Sequence, residues 1–305
     1  MADPSFRPPP EREPFLRRMA PIPFALFALA AVFVLYQIVG GIITLVVAGG
    51  DIGAGNLNLV RWSTLVGQVV FILVPTLWLA RARHGALVPF FRIRLPEVGE
   101  LVSTMVAVFA LQQVLQTYML LQDAVPLPPE LQKMVEVFKR LMEEMYRVLV
   151  TAHSPGEFLV VVLIVALAPA VIEELLFRGL VQRNFEEGAG GLRGAIIAGL
   201  IFGAYHLNPF SLVPLMALGA YFGFIVFRSE NITLAMSAHF FNNFIACAAV
   251  YLKLDDNFLA IAPSSRPGNT LIAANFLVFA LVFVAATLYF IHITDRDGHD
   301  EEELF

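Results

Sequence analysis

The chain has 305 residues, 58% of them hydrophobic and only 15% charged, against about 45–50% and about 25% in a soluble domain. With its long uncharged segments, this composition excludes an ordinary soluble globule and indicates a polytopic membrane protein. The net charge of −5 says little, because acidic residues collect at the C-terminal end, and the single cysteine, Cys247, excludes an internal disulfide or a cysteine-based zinc cluster.

Residues 1–20 are rich in proline and arginine and read as a loose tail. The apolar run that follows is longer than the roughly 7–15 residues of a signal-peptide core, so it reads as a retained first span. Eight spans are expected: Ile22–Ala48, Leu59–Ala80, Val98–Leu121, Phe158–Val181, Gly194–His206, Ser211–Phe227, Ile232–Leu252 and Thr270–Ile293. The fifth and sixth are short, with Asn208-Pro209 turning between them. Cys247, in the seventh, reads as a packing residue. Residues 295–305 form an acidic tail. The fold class is all-α polytopic membrane protein, one helical domain over 21–294.

One connection has a different pattern. After Pro126-Leu127-Pro128-Pro129, residues 130–150 place Leu131, Met134, Val135, Phe138, Leu141, Met142, Met145 and Leu149 on one helical face. Charged residues cover the rest, with Glu136–Arg140 and Glu143–Arg147 at the favourable four-residue spacing. This is the pattern of an interfacial amphipathic helix; a helix packed on the extramembrane face of the bundle would show it too. With the N-terminus inside, twelve arginines fall on the inner side against seven basic residues outside, Arg61 among the seven. Both termini are therefore expected in the cytoplasm, in the inner membrane.

Ionisable groups inside spans are costly, about 2.5–3.5 kcal/mol each at a helix centre. They concentrate in three spans: Glu173, Glu174 and Arg178; His206; His239 with Asn243. At 1.5 Å per residue, Glu173 lies ~21 Å from the inner end of its helix, His206 ~20 Å and His239 ~15 Å from theirs. Three helices of alternating direction thus bring polar groups to a common layer. Glu174 and Arg178, four apart, share a face and read as a structural ion pair. Glu173 is rotated about 100° from Glu174 and can face a cavity unpaired, which suits a general acid or base. His239 and Asn243, one turn apart, can both donate to an oxyanion. A lone intramembrane histidine often only bonds a neighbouring helix; His206 and His239 gain meaning from sharing a layer with Glu173. Asn242 reads as a packing residue. His84, His153, His292 and His299 read as solvent-facing. Gln112, Gln113 and Gln116 read as bonds between helices.

These residues resemble the CPBP family of intramembrane proteases, which includes the type II CAAX prenyl endopeptidases and many bacterial relatives. The family pattern of Glu-Glu-x-x-x-Arg, Phe-x-x-x-His and His-x-x-x-Asn is met by Glu173-Glu174 with Arg178, Phe202 with His206, and His239 with Asn243. The resemblance implies a catalytic core over 157–254 that hydrolyses peptide bonds in a hydrophobic or membrane-associated peptide, of CAAX type or of leader or bacteriocin type. By analogy Glu173 with His206 activates a water, His239 with Asn243 holds the oxyanion, and Glu174 and Arg178 brace the site.

No cofactor is expected. Zinc is the alternative, on Glu173, His206 and His239 with a position left for water, but no His-Glu-x-x-His helix is present. The expected partners are a peptide substrate and the bilayer, not nucleic acid; the sequence does not give the oligomeric state. Two further readings are a non-catalytic immunity or scaffold protein that kept the fold, and a proton carrier built on the carboxylate–histidine layer.

Overall fold

A computed structural model describes residues 14–50, 56–254 and 268–295. Most of the two tails, and His299, lie outside these residues. Among the described residues the chain is helical without strands, and the long helices, in order, are α1 (Pro21–Val47), α2 (Leu57–His84), α3 (Val98–Gln122), α4 (Pro129–Val150), α5 (Pro155–Ala189), α6 (Gly191–Tyr205), α7 (Leu212–Ser229), α8 (Ile232–Tyr251) and α9 (Asn269–Ile293). Seven of them, all but α4 and α6, are long and apolar enough to cross a membrane. The eight expected spans thus resolve into seven long helices and the short α6. Its 15 residues rise only ~22 Å, less than the ~30 Å of a hydrocarbon core. The fold is an all-α polytopic membrane bundle.

Two apolar clusters form its inside. One joins α1, α2, α5 and α6 through Phe24, Leu79, Leu176, Phe177 and Phe202. The other joins α3, α7, α8 and α9 through Leu111, Phe222, Ile225, Leu234 and Phe290. Outward-facing apolar residues such as Ile42, Trp78, Leu277 and Leu281 remain exposed, as lipid-facing positions should. Cys247 is fully buried against Val150 and Val161, the packing role its setting suggests.

Helices α6 and α7 approach most closely. Gly199 and Gly203 of α6 sit against the backbones of Ala220 and Met216 on α7, and Gly219 against Gly199. A Cβ at any of the three would collide with main chain. This is the small-residue packing that membrane helices use where lipid supplies no hydrophobic drive.

At the end of the bundle where α5 stops, the link between α2 and α3 is pinned by polar contacts. Arg92 pairs with Glu186 at 2.7 Å and Glu230 at 2.9 Å, Arg94 pairs with Glu100, and Thr233 Oγ1 donates to Arg94 O at 2.6 Å. His84, expected to face solvent, is half-buried, stacked on Phe90 with centroids 4.0 Å apart. His153 and His292 are exposed.

Helix α4 lies at the opposite end. Lys139 binds Asp123 at 2.6 Å, Phe138 meets Phe210 of the α6–α7 turn, and Arg140 pairs with Glu136 at 3.6 Å. Much of its apolar face, including Leu131, Met134, Leu141 and Met145, is uncovered. Its C-terminus is held by Arg61 of α2. That guanidinium donates from Nε to Leu149 O at 3.0 Å and also reaches the carbonyls of Val148 and Thr151. Arg61 is only 1% exposed. The sequence places it on the outer side, just inside the second span, and the orphan carbonyls of a helix end draw it inward.

Candidate active site

The site is organised by α5, whose start is fixed by Pro155 and by Ser154, which accepts from Glu157 N at 3.2 Å. This 35-residue helix is not uniform. It widens into π turns over Val162–Leu167 and Leu175–Gln182, on either side of the stretch that ends in Glu173-Glu174. Such widenings are frequent at functional sites. Pro169 has no N–H to offer the carbonyl four residues back. That carbonyl, Val165 O, instead receives Asn243 Nδ2 at 3.1 Å, which ties α8 to α5 at the depth of the site.

Glu174, Arg178 and His239 form a buried unit, in which Glu174 Oε2 and Arg178 Nε have no hydrogen-bond partner among the described residues. Glu174 Oε1 accepts from Arg178 Nη1 at 2.9 Å and lies 2.8 Å from His239 Nδ1. The carboxylate and guanidinium are 0% exposed. Arg178 Nη2 continues to Gly219 O at 2.9 Å, a carbonyl brought within reach by the close α6–α7 contact. The guanidinium also lies over Phe202 at 4.5 Å and Phe222 at 5.4 Å, and the His239 ring meets the same two phenyl rings at 5.8 and 5.7 Å. Phe202, whose place in the motif carried no chemistry of its own, is the apolar plate on which Arg178, His206 and His239 all rest.

Glu173 turns away from this unit. Its Oε2 lies 3.9 Å from His206 Nε2 and has no hydrogen-bond partner among the described residues. The distance exceeds a direct hydrogen bond but allows a water lying off the line to bond both atoms. His206 follows the last residue of α6, and its Nδ1 is 2.8 Å from Phe202 O. A carbonyl only accepts, so this partner assigns the proton to Nδ1 and leaves Nε2, in the neutral ring, with its lone pair toward Glu173.

The same reasoning changes what His239 can do. Its Nδ1 faces a carboxylate and carries a proton, so Nε2 donates only when the ring holds both protons. Asn243 spends one amide hydrogen on Val165 O and accepts from Asn242 Nδ2 at 3.1 Å; one N–H remains for a ligand. Spacing alone puts His239 beside Asn243 as a second donor and does not reveal its pairing with Glu174.

Two tyrosines were missed. Tyr205 donates to Leu29 O at 3.4 Å, and Tyr36 hydrogen-bonds Gln68; both are in electrostatic range of Glu173. The available signal was polar residues placed inside spans: Tyr36-Gln37, Gln68, and Tyr205 next to His206.

As a zinc centre the residues do not fit as they stand. Among the described residues no three His, Cys, Asp or Glu side chains gather closely enough to hold a metal ion.

Residues 155–245 match the family model Type II CAAX prenyl endopeptidase Rce1-like. The core belongs to the CAAX-protease-like family. The match covers α5, α6, α7 and most of α8 and contains Glu173, Glu174, Arg178, Phe202, His206, His239 and Asn243, while α1–α4 and α9, with Tyr36 and Gln68, lie outside it. Neither the curated proteins nor the solved structures returned a match to the chain. Within the Rce1-like core, the Glu-Glu-x-x-x-Arg stretch divides its labour: Glu174 and Arg178 are bound into the protein, and Glu173 is left facing His206.

Proposed function

We propose that this protein is an intramembrane endopeptidase that cleaves a hydrophobic or membrane-associated peptide, in CAAX-type or leader-type processing, from the inner membrane with both termini in the cytoplasm. The observation that supports this most directly is the 3.9 Å gap between Glu173 Oε2, otherwise unpartnered, and the lone-pair side of His206. A water in that gap gives a proton to Glu173 while its oxygen adds to the scissile carbonyl carbon. His206 orients the water. The carbonyl oxygen becomes an oxyanion, met by the free N–H of Asn243 and by Nε2 of doubly protonated His239. The tetrahedral centre then collapses, the C–N bond breaks, and the proton held by Glu173 passes to the leaving amine. Glu174 and Arg178 position His239 and do not touch the substrate.

The test in cells compares membrane peptides from strains carrying the wild-type protein and Glu173→Ala. An uncleaved precursor should accumulate in the mutant, with its product missing. Identical peptide profiles, with any phenotype preserved in Glu173→Gln and His239→Ala, would instead favour a scaffold or immunity role.

A further inference from the structure

At the α4 end of the bundle, a groove of about 270 Å³ opens between α1, α2 and α4. Small residues create it. Gly40 and Gly41 on α1 and Ser63 and Gly67 on α2 add little bulk to two of its walls, and Met145 and Leu149 of α4 form the third. Arg61 fixes that wall, since the carbonyls it binds include those of Val148 and Leu149, which line the groove. Glu173 and His206 are not in the lining. The link to them is Tyr36, which lines the groove and packs against the apolar cluster that holds Ile172 and Phe202.

The lining is apolar but carries Gln37, Thr44 and Ser63, besides Thr64, whose hydroxyl already donates to Val60 O at 2.9 Å. An acyl chain has no use for such groups. A peptide strand does, because in a membrane each unpaired main-chain N–H or C=O costs several kcal/mol.

We infer that this groove seats the apolar flank of the peptide substrate, with main-chain groups bonded to the α1 and α2 hydroxyls and apolar side chains against α4. The assignment rests on the endopeptidase reading, but its test does not require cleavage. A leucine-rich peptide of about 20 residues, the length of one span, is given a single diazirine-bearing leucine and irradiated with the Glu173→Ala protein in nanodiscs. Cross-links should map to 36–45, 60–67 and Met145. Gly41→Trp should reduce them at least tenfold, because a Cβ at Gly41 meets nothing within 4 Å and the ring can fill the groove. Thr44→Val combined with Ser63→Ala removes hydroxyls at nearly constant volume. It should weaken peptide cross-linking several-fold and leave labelling by a diazirine fatty acid unchanged. Cross-links elsewhere, cross-links insensitive to Gly41→Trp, or a fatty acid that displaces the peptide from the same residues would each overturn the assignment. Loss of the endopeptidase reading would show separately, as undiminished cleavage by Glu173→Ala.

Discussion

Glu174 and His239, 65 positions apart, meet at 2.8 Å through Oε1 and Nδ1, and the same oxygen accepts from Arg178. One buried carboxylate therefore neutralises a guanidinium and orients an imidazole. Glu174→Ala leaves Arg178 charged and unpaired in a dry site, a loss of about 3–5 kcal/mol. Thermal unfolding in detergent should show a large drop for Glu174→Ala. Glu174→Gln, which keeps an acceptor for one partner, should unfold between it and the wild type, with cleavage impaired in both.

Asn243 holds α5 with one amide hydrogen and has one to spare. Losing an oxyanion donor typically costs about 10²–10³ in kcat. Asn243→Ala should show that loss with KM little changed, measured on the purified protein with any peptide it cleaves.

Gly199 faces main chain, not side chain: a Cβ there meets Ala220 N and Cα and Gly219 C. Main chain cannot move aside without separating α6 from α7, which would also pull Gly219 O from Arg178. Gly199→Leu should fail to give a monodisperse particle in detergent, whereas Gly41→Leu, with open space around its Cβ, should purify like the wild type.

Arg61 fastens the C-terminus of α4 to α2. Arg61→Ala should free that end. Hydrogen exchange over 143–151 should rise well above the wild type, with α5–α8 little changed. Arg61→Lys should rescue only in part, because an ammonium lacks the guanidinium fork that reaches several carbonyls.

Much of this arrangement was legible in the sequence because it is periodic or local. Span lengths follow from apolar runs, and the Glu174–Arg178 pair follows from a spacing of four. A shared depth pointed to Glu173 and His206, which face each other at 3.9 Å, and to His239, which rests on Phe202 as His206 does. What escaped is what depends on contacts between helices. His239 is tied to Glu174 across α5 and α8. Arg61 reads only as an outer-side charge until the end of α4 meets it. Asn243's hold on α5 needed Pro169 to free a carbonyl, a signal present in the sequence but meaningful only once the two helices are side by side. The wider turns around Glu173-Glu174 carry no composition of their own.

The most direct measurement of the central claim is cleavage by purified protein in water enriched in oxygen-18. The wild type should cut a membrane peptide and place one solvent oxygen in the new C-terminal carboxyl group. Glu173→Ala and Glu173→Gln, folded by the same thermal criterion, should lose cleavage by at least a hundredfold, consistent with the contribution of a general base of about 10²–10⁴. Cleavage by either mutant at the wild-type rate would contradict the account.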